Sequence, residues 1–285
     1  MYNMLITAPQ LQALQANGTP CAVLDCSFDL MKPELADGFF AGERIAGALP
    51  AHLDKNLSTH APGEGVNAGR HPLPQRAAVA KWLGSLGLHN GMQIVVYDRN
   101  KSAYCGRLWW MLKWLGHDAV ALLDGGLAAW KAAGGALASG PAPSPTPAEF
   151  AVKAALRQLL LTADVSAALG RPEQTIVDAR AGARFRGEME PLDPVAGHIP
   201  GALNRPFTEN FTEDGCFKSP EALRAEWDQV LAGRTPSTVV HHCGSGVTAV
   251  PNLMAMEMAG LGTTALYAGS WSEWCNTPGL PCAKG

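Results

Sequence analysis

Charge is scarce in this 285-residue chain, where Asp, Glu, Lys and Arg together make up 16%. Neither sign dominates: 22 Lys plus Arg face 25 Asp plus Glu, a formal net charge of −3. No general basic field exists to hold nucleic acid or an anionic lipid surface, so an anionic ligand has to be small and held locally. No run approaches the roughly 20 uninterrupted apolar residues that cross a bilayer, and no membrane association is expected. Met1–Pro9 lacks the basic start and apolar stretch of a secretory leader, which sets the expectation of a cytoplasmic protein. Paired Cys-x-x-Cys knuckles are missing too. The seven cysteines fall at 21, 26, 105, 216, 243, 275 and 282, a set that suits neither a disulfide framework nor a zinc knuckle, so thiols are expected throughout. What the chain has in quantity is apolar residues, 47% of the total, in a length that suits two domains with a core each.

The chain repeats itself. Gln93-Ile-Val-Val-Tyr-Asp98 matches Ser237-Thr-Val-Val-His-His242, and Leu123-Asp-Gly-Gly126 with Trp130 matches Tyr267-Ala-Gly-Ser270 with Trp274, both at an offset of 144. Ala22-Val-Leu-Asp25 matches Thr175-Ile-Val-Asp178, and Ile45-Ala-Gly-Ala-Leu49 matches Ile199-Pro-Gly-Ala-Leu203, at offsets of 153 and 154. Four landmarks in one order point to a duplicated unit. Between the copies lies Gly140-Pro-Ala-Pro-Ser-Pro-Thr-Pro147, whose composition holds neither helix nor central strand and reads as a linker. The boundaries implied are 1–138, a linker over 139–150, and 151–285. Within each copy, β-branched runs (Ile94–Tyr97, Ser237–Val240) alternate with amphipathic helical stretches (Leu73–Leu86, Pro220–Leu231), the pattern of an α/β fold with a mainly parallel sheet. Trp82, Trp109, Trp110 and Trp114 sit at helical spacings and are expected to pack the first domain.

Ligands collect at the carboxyl ends of parallel strands, so the loop after Val240 carries the most information. It reads His241-His242-Cys243-Gly244-Ser245-Gly246-Val247-Thr248-Ala249 and opens a helix. A cysteine there faces converging backbone N–H groups and the positive end of the helix, which stabilise negative charge on sulfur. Gly244 and Gly246 allow the positive φ angles such a cradle needs. Thr248 either donates its hydroxyl to a bound sulfur or caps the helix. His241 and His242 side by side suggest a metal, but strand neighbours point to opposite faces and a closed zinc site needs four ligands; no metal and no cofactor is expected. A Cys phosphatase would need Arg six residues after the cysteine, where Ala249 stands.

The run Cys243-Gly-Ser-Gly-Val-Thr-Ala249 resembles the active-site loop of the tandem-domain rhodanese (sulfurtransferase) family, and within it the branch that uses 3-mercaptopyruvate. Asp178-Ala-Arg180, Arg184-Phe-Arg-Gly187, Gly197-His-Ile-Pro-Gly-Ala202 and Gly269-Ser-Trp-Ser-Glu-Trp274 resemble family signatures as well, so the likeness covers nearly the whole chain. It implies two rhodanese-like domains, each a mainly parallel five-stranded sheet flanked by helices. It also implies a two-step reaction: Cys243 takes sulfur from a small-molecule donor as a persulfide, and a thiol such as thioredoxin or a small thiol, or cyanide, removes it. Thiosulfate-using members carry basic residues where Gly244 and Ser245 stand. A Gly-Ser loop suits 3-mercaptopyruvate, with one carboxylate and a ketone, better than a dianion.

The same resemblance assigns further roles. The amides of Gly244, Gly246, Val247 and Thr248 would cradle the sulfur, and Arg184, with Arg186 two residues on, would hold the donor carboxylate. A second family arginine a few residues later is missing, since Glu188–Pro194 contains none. A Ser-His-Asp relay would pair Ser245 with His71 of His71-Pro-Leu-Pro74, and its acid with Asp54; the alignment of Ile45-Ala-Gly-Ala48 places His52 at the aspartate's position, so either residue is the candidate. At an offset of 144 the nucleophile's counterpart in the first copy is Arg99, which cannot accept sulfur, and that copy is expected to be catalytically inactive. Two alternatives stay open: thiosulfate:cyanide sulfurtransferase, decided by relative kcat/KM, and a non-catalytic binding module, which iodoacetate labelling of Cys243 would exclude.

Overall fold

The β-branched runs become the centres of two parallel sheets in a computed structural model that describes residues 1–285. The first unit comprises Met1–Glu64, Pro74–Leu156 and Glu213–Cys216. Its order is β1 (Leu5–Ile6), α1 (Ala8–Ala16), β2 (Cys21–Asp25), α2 (Ala36–Gly42), β3 (Arg44–Ile45), β4 (Leu49–Pro50), α3 (Arg76–Ser85), β5 (Gln93–Tyr97), α4 (Cys105–Trp114), β6 (Val120–Leu123), α5 (Gly126–Ala132) and β7 (Leu137–Ala138). The second comprises Gly65–Leu73, Arg157–Thr212 and Phe217–Gly285. Its order is β8 (Leu159–Leu160), α6 (Thr162–Ala167), β9 (Thr175–Asp178), α7 (Gly182–Phe185), β10 (Leu203–Asn204), α8 (Pro220–Leu231), β11 (Val239–His242), α9 (Val250–Met258), β12 (Ala265–Tyr267) and α10 (Ser270–Trp274).

Each unit is built on a five-stranded, all-parallel sheet, ordered β1-β6-β5-β2-β4 in the first and β8-β12-β11-β9-β10 in the second. The two orders superpose strand for strand, as the duplication requires. The central strands β5 and β11 are buried along their whole length because helices cover both faces of a parallel sheet. Helix starts follow local chemistry. Thr7 and Gln10 form a reciprocal capping box at the start of α1, with Pro9 in its first turn, and Ser219 accepts from the Ala222 N–H at the start of α8, with Pro220 in the first turn. Trp109, Trp110 and Trp114 are buried within α4 of the first unit, and Trp271 and Trp274 lie in the core of the second. The proline-rich stretch between the repeats runs along the first unit, where Gly140 N–H donates to Ala41 and Ala148 N–H to Gly84.

One strand boundary differs from the sequence expectation. Pro236–Thr238 form a 3-10 turn instead of a strand, and β11 begins at Val239. Proline offers no ladder N–H, and Thr238 closes the turn by donating both its N–H and its hydroxyl to the Thr235 carbonyl. The strand is thereby carried on to His242, and the two histidines enter opposite faces of the sheet. His241 meets the Trp227 ring of α8 edge-on, with centroids 5.6 Å apart and neither ring nitrogen hydrogen-bonded. His242 turns to Asp178 of β9, its Nε2 3.6 Å from Oδ2.

Burial, with a smaller push from His242, holds His241 down to a pKa of about 3. The unfolded chain takes up this proton near pH ~6.5 and the native state does not, so stability is present above ~6.5 and drains as pH falls toward the folded value. His241→Phe should flatten the acid limb by up to about 1.4 kcal/mol per pH unit, read from urea midpoints between pH ~6.5 and ~4. An unchanged slope in the variant would contradict this assignment.

Candidate active site

The second unit borrows a short loop from the first half of the chain. Gly65–Leu73 closes on itself through Val66 N–H to the Leu73 carbonyl and Leu73 N–H to Asn67 Oδ1. It is tied to α10 by Ala68 N–H to Glu273 Oε2 and Arg70 N–H to Ser272 Oγ. Gly69 has φ +92°, and a Cβ there would stand 2.7 Å from Ser272 Oγ, so only glycine lets the loop dock. The docked loop puts His71 Nδ1 2.7 Å from Ser245 Oγ, with both residues buried.

Cys243 follows β11 directly and is 1% exposed. Its N–H donates to Ser270 Oγ, while its carbonyl accepts from Trp271 N–H and the Gly244 carbonyl from Ser272 N–H. The loop is therefore bound edge to edge to the turn after β12, and the Gly-Ser-Trp-Ser-Glu-Trp signature is the part of α10 that grips it. Gly246 has φ +73°, and any Cβ there would collide with the Ala268 carbonyl oxygen. Gly244 does not use the left-handed region, contrary to the sequence expectation. Its missing side chain instead leaves room for two guanidiniums: a Cβ at Gly244 would stand 3.0 Å from Arg70 Nη2 and 3.5 Å from Arg184 Nη1.

Those cations rest on a row of buried acids. Arg184 donates through Nε and Nη2 to Glu190 and lies 3.4 Å from Asp193, which Arg70 meets at 2.5 Å. Glu190 also meets Arg180, and Arg180 is locked to Asp178 and the Gly197 carbonyl and lies over the Trp271 ring. Burial pushes Asp178 up, but His242 and Arg180 outweigh it and hold the carboxyl below its ordinary value. Burial likewise opposes ionisation of Glu190, and its bonds to Arg184 and to the Leu192 N–H prevail and hold it low.

The rhodanese-like domain profile matches residues 7–133 and again 161–277. The chain belongs to the rhodanese-like family. It is similar to the "Probable 3-mercaptopyruvate sulfurtransferase" of Pseudomonas aeruginosa, 46% identical over 99% of this chain and 98% of that one. It is 35% identical to the human 3-mercaptopyruvate sulfurtransferase, over 94% of this chain and 89% of that one. Among solved structures, Escherichia coli SseA, described as a 3-mercaptopyruvate sulfotransferase, aligns over 94% of this chain and 99% of its own with TM-score 0.77 and 30% identity. The Leishmania major 3-mercaptopyruvate sulfurtransferase aligns over 95% of this chain and 74% of its own, with TM-score 0.82 and 32% identity. The protein is an enzyme of the sulfurtransferase class.

The first rhodanese domain shows what such a loop does with a negative charge. Its register pairs Asp25 with Tyr97, as Asp178 pairs with His242 in the second, so the counterpart of Cys243 is Asp98 and the offset here is 145. This corrects the sequence alignment to Arg99. Helix α9 is one residue shorter than α4, nine against ten, so landmarks on either side of it differ in offset by one. The Asp98 carboxylate accepts from the N–H groups of Asn100, Ser102, Tyr104 and Cys105. Their counterparts are Ser245, Val247, Ala249 and Val250, and Lys101 has φ +53° where Gly246 has +73°. Arg99 turns away to donate to the Phe39 and Glu43 carbonyls.

Of the other residues singled out from sequence, Val247 is buried and Thr248 half-buried in the loop. Arg186 is exposed and bidentate to Glu188, so its guanidinium is engaged at the surface. His52 and Asp54 belong to the first unit, where Asp54 N–H donates to His52 Nδ1, Asp54 lies 3.7 Å from His60, and the His52 ring packs on Phe28. Arg70 escaped sequence reading, although it directly precedes His71; its signal was adjacency to a singled-out residue, which says nothing about direction.

Asp98→Ala removes the acceptor of four N–H groups, and a loss of about 3 kcal/mol of unfolding free energy is expected. A loss under about 0.5 kcal/mol in chemical denaturation would contradict the cradle.

Proposed function

We propose that this protein moves sulfane sulfur from 3-mercaptopyruvate to a thiol or cyanide through a persulfide on Cys243. The Cys243 thiolate attacks the donor's thiol sulfur, and the carbon–sulfur bond breaks with its electron pair going to carbon. The proton released from the donor thiol passes through Ser245 and His71 to that carbon. Pyruvate leaves, and the outer sulfur stays as an anion in the amide loop. An acceptor thiolate then attacks the outer sulfur and returns Cys243 to its starting form. The first domain carries Asp98 at the equivalent position and takes no sulfur.

The observation that carries the choice of donor is the 2.7 Å contact between His71 and Ser245, two residues from Cys243. Sulfite leaving thiosulfate departs as a stable anion and needs no proton, whereas the pyruvate carbanion does. A proton relay beside the nucleophile therefore serves mercaptopyruvate and is idle with thiosulfate.

Intact-protein mass spectrometry after donor treatment should show one added sulfur atom, discharged by thiol or cyanide, and none in Cys243→Ser. Ser245→Ala and His71→Asn should each lower kcat/KM for mercaptopyruvate by about 10²-fold and change the thiosulfate rate by less than about threefold. Equal losses with both donors would contradict the relay, and a higher kcat/KM for thiosulfate in the unmodified protein would overturn the donor.

A further inference from the structure

Two guanidiniums from distant parts of the chain converge on one glycine beside the nucleophile. Arg184 comes from α7, and Arg70 comes from the docked 65–73 loop. Like charges placed together repel, and the fold opposes this with Asp193, which contacts both, and Glu190, which chelates Arg184. The acids are sunk behind the pair, with side chains 3% exposed, while Arg70 and Arg184 keep 23% and 17% of theirs open. Arg70 Nε is buried and has no partner within the protein. Its Nη1 faces Asp193, so Nη2 is the edge turned toward Gly244. The arrangement is a two-pronged anion receptor with an unused donor and a glycine floor.

We propose that Arg70 binds the carboxylate of the sulfur donor together with Arg184, and that this pair selects 2-oxo monocarboxylate donors. This rests on the reading of Cys243 as acceptor of sulfur from such a donor. It also accounts for the absence of a second arginine between Glu188 and Pro194: the second cation reaches the site from the loop that carries His71. Asp193 is the positioning residue that aims Arg70.

The test compares the unmodified protein with R70Q, R70K and R184Q. R70Q should raise the KM for 3-mercaptopyruvate by about 30-fold with kcat within about threefold, and should weaken inhibition by pyruvate in parallel. R70K should recover part of both, since it restores charge without the fork. Binding of pyruvate alone, measured by calorimetry on the unmodified protein and R70Q, reads the receptor without turnover. Unchanged KM and unchanged pyruvate affinity in R70Q would overturn the proposal, as would a loss confined to kcat. Should the unmodified protein fail to form a persulfide from mercaptopyruvate, the donor reading falls, and the pyruvate titration still decides the role of Arg70.

Discussion

In the proposed reaction a sulfur anion at the end of β11 would have to be stabilised by peptide N–H groups, because the loop around Cys243 carries no charged side chain. That constraint organises the second domain. The loop cannot hold its curvature alone: Gly246 is left-handed against the Ala268 carbonyl, and the carbonyls of Cys243 and Gly244 are spent on the N–H groups that open α10. With its carbonyls drawn back toward the turn after β12, the loop is left with its amides to offer to a ligand. The first domain keeps the same curvature and fills it with the Asp98 carboxylate, a resident anion at the position that Cys243 takes in the second.

The cations of the site are kept off the loop and reach it from outside. Asp178, Arg180, Glu190, Arg184, Asp193 and Arg70 alternate in sign through successive contacts from the end of β9 to the 65–73 loop. Each buried charge there has an opposite neighbour, as low dielectric demands. The series ends on the Arg70 guanidinium, so the charge delivered beside Gly244 is positive although the molecule as a whole is slightly acidic.

Much of this was legible in the residues. The duplication, the parallel sheets and the tight loop between β11 and α9 follow from β-branched runs and glycine placement, which are local properties. The strand end at β11 was misplaced because Pro236 and the Thr238 hydroxyl divert two residues into a turn that a hydrophobic pattern does not encode. The counterpart of Cys243 was misplaced by one because a single residue lost inside a helix leaves no mark until strand register is seen. Gly244 was read as a conformational glycine when its service is steric. Arg70 was invisible because its place beside Gly244 depends on which unit its loop joins, and sequence order assigns that loop to the other half of the chain.

The central claim is that backbone amides alone hold the transferred sulfur. A crystal structure of the donor-treated protein, with the outer sulfur located by anomalous scattering, tests it most directly. The account predicts that atom within hydrogen-bonding distance of the N–H groups of Ser245, Val247, Ala249 and Val250, where the Asp98 carboxylate sits in the first domain. An outer sulfur turned out of the loop, or held by a side-chain cation in place of those amides, would contradict it.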